Sequence, residues 1–408
     1  MNFQRFFMPR LGEYIKFSKN ILLLGPRQTG KSTLIETLIQ ENKRPNLVFK
    51  LQEIKTFQQI VKSPEYITNV AESKLESGPI NLFIDEVQKV PILLDGCQYL
   101  IDKYKKKLCV VLTGSSARKL KAKGVNLLPG RIILEYLHPL TLPEIYKTKI
   151  QRIVPLKTSI KYDFSKDLKL EDFLIYGTLP GILKEKRFRT KLLTTYVQTY
   201  LQEEVKAEAL TRNLGLFSRF LELSSFESGG LPNLSKLSQE TGIGLSTIKN
   251  YFQILEDTLI MHTIPAFKKD SRKQILSTPK YIYFDLGVRN VASNMPLNKG
   301  ILNTEIGGKL FEQFICLELI NRIKYEHPNW RYFYWRTNTG LEVDFIIQTE
   351  EEIIPVEIKF TNTLRRDHIK HLKVFMEEYK IKKGFVVGLF EDTQKLENNI
   401  YAIPWQEI

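Results

Sequence analysis

The sequence predicts an α/β chain with several cores: a parallel sheet built around a glycine-rich phosphate loop, a helical segment, two helices with a hairpin, and a second α/β unit. Three observations carry this. "ILLLGPRQTGKSTLIETLIQ" (residues 21 to 40) is an apolar run closed by Gly25, four residues, and then Gly30-Lys31-Ser32. The apolar runs "NLFIDEVQKV" (81 to 90) and "CVVLTGSSARKL" (109 to 120) both pass into polar residues at the same relative place. Near the other end, "GLEVDFII" (340 to 347) and "IIPVEIKF" (353 to 360) alternate with a period of two.

Composition limits the function classes. A chain of 408 residues exceeds one ordinary core, so two to four domains are expected. Its 43% hydrophobic and 11% aromatic content excludes a disordered chain. The 60 Lys and Arg against 45 Asp and Glu give a formal charge of +15, which makes polyanions the expected partner class. Cys97, Cys109 and Cys316 are too few and too scattered for a disulfide framework and lack metal-ligand spacing. Arg and Lys interrupt the apolar residues of the first segment, and no later run approaches ~18 apolar residues, so a cytoplasmic protein with no membrane partner is expected.

In the first unit, Ile21 to Leu24 suit a buried parallel strand, and Leu34, Leu38 and Ile39 have helical spacing. Between them Gly25, Pro26, Arg27, Gln28, Thr29, Gly30, Lys31, Ser32 and Thr33 form the expected nucleotide cradle. Glycines let the backbone turn and present N–H groups to phosphate oxygens, and the helix N-terminus adds partial positive charge. Lys31 would hold the β- and γ-phosphates of ATP, and Ser32 would ligate Mg²⁺. Asp85 suits a second acid facing the metal, and Glu86 a base that orients the attacking water. The third strand delivers Thr113, Ser115 and Ser116 at its C-terminal end. In a parallel sheet such ends converge on one crevice.

These segments, followed by "LLPGRIILEYLHPLTLPEI" (127 to 145), resemble prokaryotic AAA-plus-type ATPases that carry a C-terminal domain of uncharacterised function. The resemblance continues through "DFLIYGTLPGILKE" (172 to 185), "TYVQTYLQEEV" (195 to 205) and the C-terminal acid-rich strands. It implies that Lys31 and Ser32 contact nucleotide and metal, that Asp85 is the metal-facing acid and Glu86 the base, and that Thr113 or Ser115 senses the γ-phosphate. It also implies Arg131 as a candidate arginine finger, and homo-oligomers as a candidate assembly.

The expected domains are residues 1–156 for the ATPase, 157–228 for a helical lid or linker, 229–300 for a winged helix and 301–408 for the last unit. A polar, lysine-rich stretch (157 to 169) marks the first boundary, and apolar residues three and four apart follow it. "LPNLSKLSQETGIGLSTIKNYFQILEDTLIMHTI" (231 to 264) reads as a helix, a turn at Thr241-Gly242 and a second helix capped by Ser246. Two strands joined by the basic loop 268 to 273 come next. This is the order of a winged helix, with Lys249 on the reading face and Lys268, Lys269, Arg272 and Lys273 on the wing, so DNA is the expected partner. The basic runs at 103 to 107, 118 to 123 and 184 to 191 are solvated faces that could also follow a phosphate backbone.

In the C-terminal strands the period of two puts Glu342 with Asp344 and Glu357 with Lys359. If the strands pair, Asp344 and Glu357 can share Mg²⁺ or Mn²⁺, since hard oxygen ligands suit both ions. Lys359 would then orient or activate the metal-bound water. Glu312 supplies a third acid from the amphipathic segment 307 to 320. A helix acid, a strand Asp, Glu-x-Lys on the next strand, then a helix and a strand resembles the restriction-endonuclease-like superfamily. The sequence therefore predicts an ATP-hydrolysing, DNA-binding protein with a metal-dependent nuclease-like domain. The alternative is a nucleotide-dependent binding switch whose C-terminal domain does not cut.

Overall fold

The computed structural model describes residues 3–115, 118, 127–146, 168–201, 214–268, 278–397 and 399–408. Ser116, most of the lysine-rich boundary stretch, residues 119 to 123 and the wing residues Lys269, Arg272 and Lys273 lie outside the described residues. The chain divides into two compact units: residues up to 140 with 253–260, and 141–206, 211–252 and 261–408. The second unit thus takes in most of the segments expected as lid, winged helix and last domain. Among the described residues, no helix is long and apolar enough to cross a membrane.

The first unit is built on five parallel strands in the order β2-β3-β4-β1-β5: β1 Asn20–Leu24, β2 Asn46–Lys50, β3 Ile80–Asp85, β4 Leu108–Gly114 and β5 Ile132–Tyr136. Every residue of β3 and β4 is buried, as in a sheet covered on both faces. Leu22, Leu24, Leu82, Ile84, Val110 and Leu112 alternate along their strands and form one cluster with Ile67, Ala71, Leu75, Leu94, Cys97 and Leu100 from the helices Glu65–Glu76 and Leu93–Tyr104. The register sets Leu23 beside Thr113 and Ile84 beside Leu112, so β1, β3 and β4 end level with one another. Their C-terminal residues therefore meet at one edge.

The second unit opens with short helices, among them Leu142–Tyr146 and Leu170–Tyr176, and continues through helix Leu214–Phe226. Helix Leu234–Thr241 is capped by the Asn233 side chain, which accepts the Lys236 N–H at 3.0 Å. The next helix, Leu245–Asp257, starts one residue earlier than its expected cap: the Ile248 N–H bonds to the Gly244 carbonyl, and Ser246 lies inside the first turn. Strands β6 Met261–Ile264 and β7 Lys280–Tyr283 pair antiparallel. Rings of Phe217, Phe220, Tyr251, Phe252 and Tyr281 pack this region together at centroid distances of 4.5 to 6.0 Å.

The long helix Glu305–Glu326 is followed by β8 Arg331–Arg336, β9 Glu342–Gln348, β10 Ile353–Ile358, helix Lys370–Tyr379, β11 Gly384–Gly388, β12 Gln394–Lys395 and β13 Ile400–Pro404. Their sheet runs β12-β13-β11-β10-β9-β8. The first three strands are an antiparallel meander, and β11 and β13 continue parallel to β10. Val356 pairs with Phe345, so Asp344 and Glu357 fall one residue further along adjoining strands. The hairpin β6–β7 belongs to the same packing, because Phe267 and Tyr334 exchange backbone hydrogen bonds with β8 and Pro265 at 2.6 and 3.0 Å.

Candidate functional site

The end of the first sheet gathers the expected nucleotide residues. Gly25 ends β1 where a side chain has no room: a Cβ there would stand 2.3 Å from the Leu137 carbonyl oxygen. Gly30, with φ 96°, makes the turn into helix Lys31–Glu41 in a conformation that disfavours other residues. Thr29 is buried and its hydroxyl donates to the Pro26 carbonyl at 2.9 Å, which tightens the loop. Pro26, Arg27, Gln28 and Thr33 complete the segment, with Gln28 and Thr33 exposed. The Lys31 ammonium is turned into its own loop, donating to the Gly25 and Pro26 carbonyls at 2.7 and 2.9 Å. These two bonds tie the ammonium to the start of the loop.

Across from it the strand ends form one polar network. Ser32 Oγ donates to Asp85 Oδ2 at 2.8 Å, and Thr113 Oγ1 donates to Asp85 Oδ1. Thr113 Oγ1 in turn accepts the Glu86 N–H at 3.0 Å. Glu86 is 6% exposed and sits in the left-handed region at φ 63°, which turns its carboxylate away from the strand direction. The Gln88 amide donates to Glu86 Oε2 and, at 3.1 Å, to Ser115 Oγ. Asp85, Glu86, Thr113 and Ser115 are therefore brought together with Lys31 and Ser32. A hydroxyl and a carboxylate in contact are a hard-oxygen pair of the kind Mg²⁺ takes, so the residues present fit the implied ion.

Arg131 is not part of this group. It precedes β5, at the opposite end of the sheet from the loop, and its Nε bonds to Asp102 at 2.7 Å on the surface. Gln88 was not expected. It lies only two residues beyond Glu86, but nothing in a sequence pattern tells a neighbouring glutamine that bonds this carboxylate from one that faces solvent.

The second unit gathers Glu312, Asp344, Glu357 and Lys359 as expected. Asp344 Oδ2 accepts the Ile358 N–H at 2.7 Å, and Lys359 Nζ lies 2.6 Å from Glu357 Oε1 and 3.8 Å from Asp344 Oδ2. Glu357 is 3% exposed, and its Oε2 has no hydrogen-bond partner among the described residues. Burial, then the Asp344 charge, push the Glu357 carboxyl well above its ordinary range, while Lys359 pulls the other way. Burial opposes charge on Lys359 as well, but Asp344 and Glu357 outweigh it and raise its pKa. An orphaned buried carboxylate oxygen beside a second carboxylate fits a divalent cation.

Two residues join this cluster that were not expected in it. Glu342, Glu312 and Asp344 offer oxygens all within 4.8 Å of one another. Lys280 on β7 pairs with Glu312 at 3.1 Å and, more closely, with Glu342. The period of two already put Glu342 on the Asp344 side. Lys280, 62 residues before Glu342, had no signal beyond being a charge at the head of an apolar strand.

Comparison with known proteins agrees with the first unit's geometry. Residues 18–146 match the family described as AAA domain. Residues 167–299 and 307–408 match two families described only as domains of unknown function, DUF8612 and DUF4143. An uncharacterized protein of Haemophilus influenzae is 21% identical over 408 residues, covering 94% of this chain and 93% of its own. One from Mycobacterium tuberculosis is 21% identical over 392 residues, covering 95% and 80%. Among solved structures, the Walker-type ATPase of Pyrococcus abyssi has a TM-score of 0.46 and 16% identity over 71% of this chain and 96% of that one. The RuvB Holliday junction branch migration motor of Thermotoga maritima has 0.31 and 16% over 64% and 89%. The AAA match and the phosphate-loop geometry together support an AAA-type, nucleotide-binding P-loop unit in residues 18–146.

Proposed function

We propose that this chain hydrolyses ATP and couples its nucleotide state to DNA through the second unit, whose C-terminal sheet is a restriction-endonuclease-like, metal-dependent domain. The observation that carries the ATPase half is the chain of contacts Ser32–Asp85–Thr113–Glu86–Gln88–Ser115 at the edge where β1, β3 and β4 end. The chemistry that Mg²⁺ would supply here is neutralisation of phosphate charge. Ser32 and Asp85 would hold the ion, Lys31 would leave its loop carbonyls for the phosphates, and Glu86 would take the water's proton. Arg131 can act only on the nucleotide of another copy, so its role stands with the homo-oligomer.

The DNA half rests on net charge and on the order helix, turn, helix, hairpin, in which Lys249 is exposed and Lys268 lies in the connection between β6 and β7. The cleavage half rests on the orphaned Glu357 oxygen beside Asp344, with Lys359 at hand for the metal-bound water. A non-cleaving, nucleotide-switched interaction module is the second reading. It is favoured by the Lys280 ammonium already lying among the acids.

The deciding experiment incubates the full chain with plasmid, linear and single-stranded DNA, with and without ATP, Mg²⁺ and Mn²⁺, following phosphate release and strand scission. DNA-stimulated ATP hydrolysis with metal-dependent cutting supports the first reading. Hydrolysis and binding without cutting under every condition supports the second. No hydrolysis in any condition overturns both.

A further inference from the structure

Lys280 reaches the acid cluster from outside the C-terminal sheet. It is 3% exposed, and its ammonium lies 3.1 Å from Glu312 Oε1 and against Glu342 Oε1. With Asp344, those two carboxylates are the ones whose oxygens approach within 4.8 Å, a separation suited to a shared cation. The lysine is held there by the fold. It pairs with Ile264 across the hairpin, the Tyr334 hydroxyl donates at 2.6 Å to the Thr278 carbonyl just before it, and its Nζ lies 5.5 Å from the centre of the Tyr334 ring. The other flank of Asp344 faces a different environment: Glu357, whose Oε2 has no partner among the described residues, and Lys359. The cluster therefore has one cation position filled by a side chain and a second one lined by an unsatisfied oxygen.

Charge supports the same division. On one side the Lys280 ammonium faces Glu312, Glu342 and Asp344, and on the other the Lys359 ammonium faces Asp344 and Glu357. Arg336 touches Glu342 only at the exposed rim, where water screens the pair.

We propose that Lys280 is a built-in cation of this site, filling the position between Glu312 and Glu342 that a divalent ion would otherwise take, so that the domain holds a single ion between Asp344 and Glu357. This rests on the metal-binding reading given above and narrows it. The lysine positions the acids and need not touch substrate. A compact ammonium on a buried stem acts as a point charge that neither chelation nor dilution removes.

The test is calorimetric titration of the full chain with Mn²⁺, carried out in an Asp85→Asn background so that the phosphate-loop end adds no ion to the count. Lys280→Met keeps an unbranched stem and removes the charge; Lys280→Arg keeps the charge. The expected result is one ion for the parent and for Lys280→Arg, and two for Lys280→Met, with Glu342→Gln added to Lys280→Met returning the count to one. Unneutralised acids could destabilise Lys280→Met, so melting is measured with and without Mn²⁺. Its Mn²⁺-induced rise in Tm should exceed that of the parent, since two sites add their mass-action stabilisation. Equal counts and equal Tm rises in parent and Lys280→Met overturn the assignment of Lys280. One ion in each leaves the metal-binding reading standing, whereas no ion in either removes that reading as well.

Discussion

Ser32 and Asp85, 53 residues apart in sequence, are joined by a 2.8 Å hydrogen bond from Oγ to Oδ2. The first turn of the helix after the phosphate loop is thereby tied to the end of β3. Holding a hydroxyl and a carboxylate in one geometry reduces the side-chain freedom that either could lose on binding.

The loop gives the first prediction. Lys31→Ala removes the charge that would meet the β- and γ-phosphates, and ATP affinity should fall by roughly ten- to a hundredfold, the usual range for one hydrogen bond to a charged group. Ser32→Ala should weaken ATP binding mainly when Mg²⁺ is present. Equilibrium binding of a fluorescent ATP analogue with and without Mg²⁺ measures both, and unchanged affinity in Lys31→Ala would remove the loop from nucleotide binding.

Glu86 and Gln88 are separated by a different measurement. Glu86→Gln should leave ATP binding intact and slow single-turnover hydrolysis by ~10²-fold or more, as loss of a positioned base implies. Gln88→Ala removes the amide that holds Glu86 and Ser115 together, and should lower kcat by about tenfold with little change in KM, because a base that loses its orientation loses part of its rate. Wild-type turnover in Gln88→Ala would reduce that residue to packing.

On the proposed cleavage reading, Asp344→Ala and Glu357→Ala at the C-terminal sheet should each remove nearly all metal-dependent scission, since each takes away an oxygen that would hold the ion. Lys359→Ala should keep the ion and lose turnover, and Lys359→Arg should restore it only in part. ATP hydrolysis should persist in all of them, because these residues belong to the other compact unit. Parallel Mn²⁺ titration and DNA cleavage assays check the set.

Acidity provides a test of the second unit's stability. Glu318 is buried and both its oxygens accept the Leu142 N–H, at 3.2 and 3.1 Å; burial pushes its carboxyl up to about 7, against the opposing pull of Arg322. A carboxyl raised in the folded state keeps its proton there while the unfolded chain has released it. Stability is therefore highest below the unfolded value near 4.5 and falls as pH rises towards 7, by on the order of 3 kcal/mol for this group. Glu318→Gln should flatten the decline in Tm between pH 5 and 8 relative to wild type. An equally steep decline would assign the pH dependence to other groups.

Much of the nucleotide site was legible because its residues are contiguous or end successive strands. Lys31 and Ser32 follow Gly30 directly, and Asp85 and Thr113 each close an apolar run, so parallel pairing was enough to bring them together. Asp344, Glu357 and Lys359 were legible for a similar reason, since a two-residue period and one hairpin place them. Lys280 was not, because a hairpin more than fifty residues upstream decides what it touches. Ser246 was expected at a cap that lies two residues earlier, because a serine near a helix start satisfies the capping pattern even where the backbone already enters the helix after Gly244. For Arg131 the sequence pattern did not show its place in the sheet: the parallel register sets the start of β5 at the far edge from the loop of its own chain.

The left-handed backbone at Glu86 sets chemistry and folding against each other at one residue. A side chain in that region costs roughly 1 kcal/mol that glycine would not incur, so Glu86→Gly should make the first unit sturdier while removing the proposed base. Selection for thermal resilience alone would drift away from glutamate here, whereas selection for turnover would hold it. The residue's persistence in a descendant lineage would thus report on which of the two pressures that lineage has experienced.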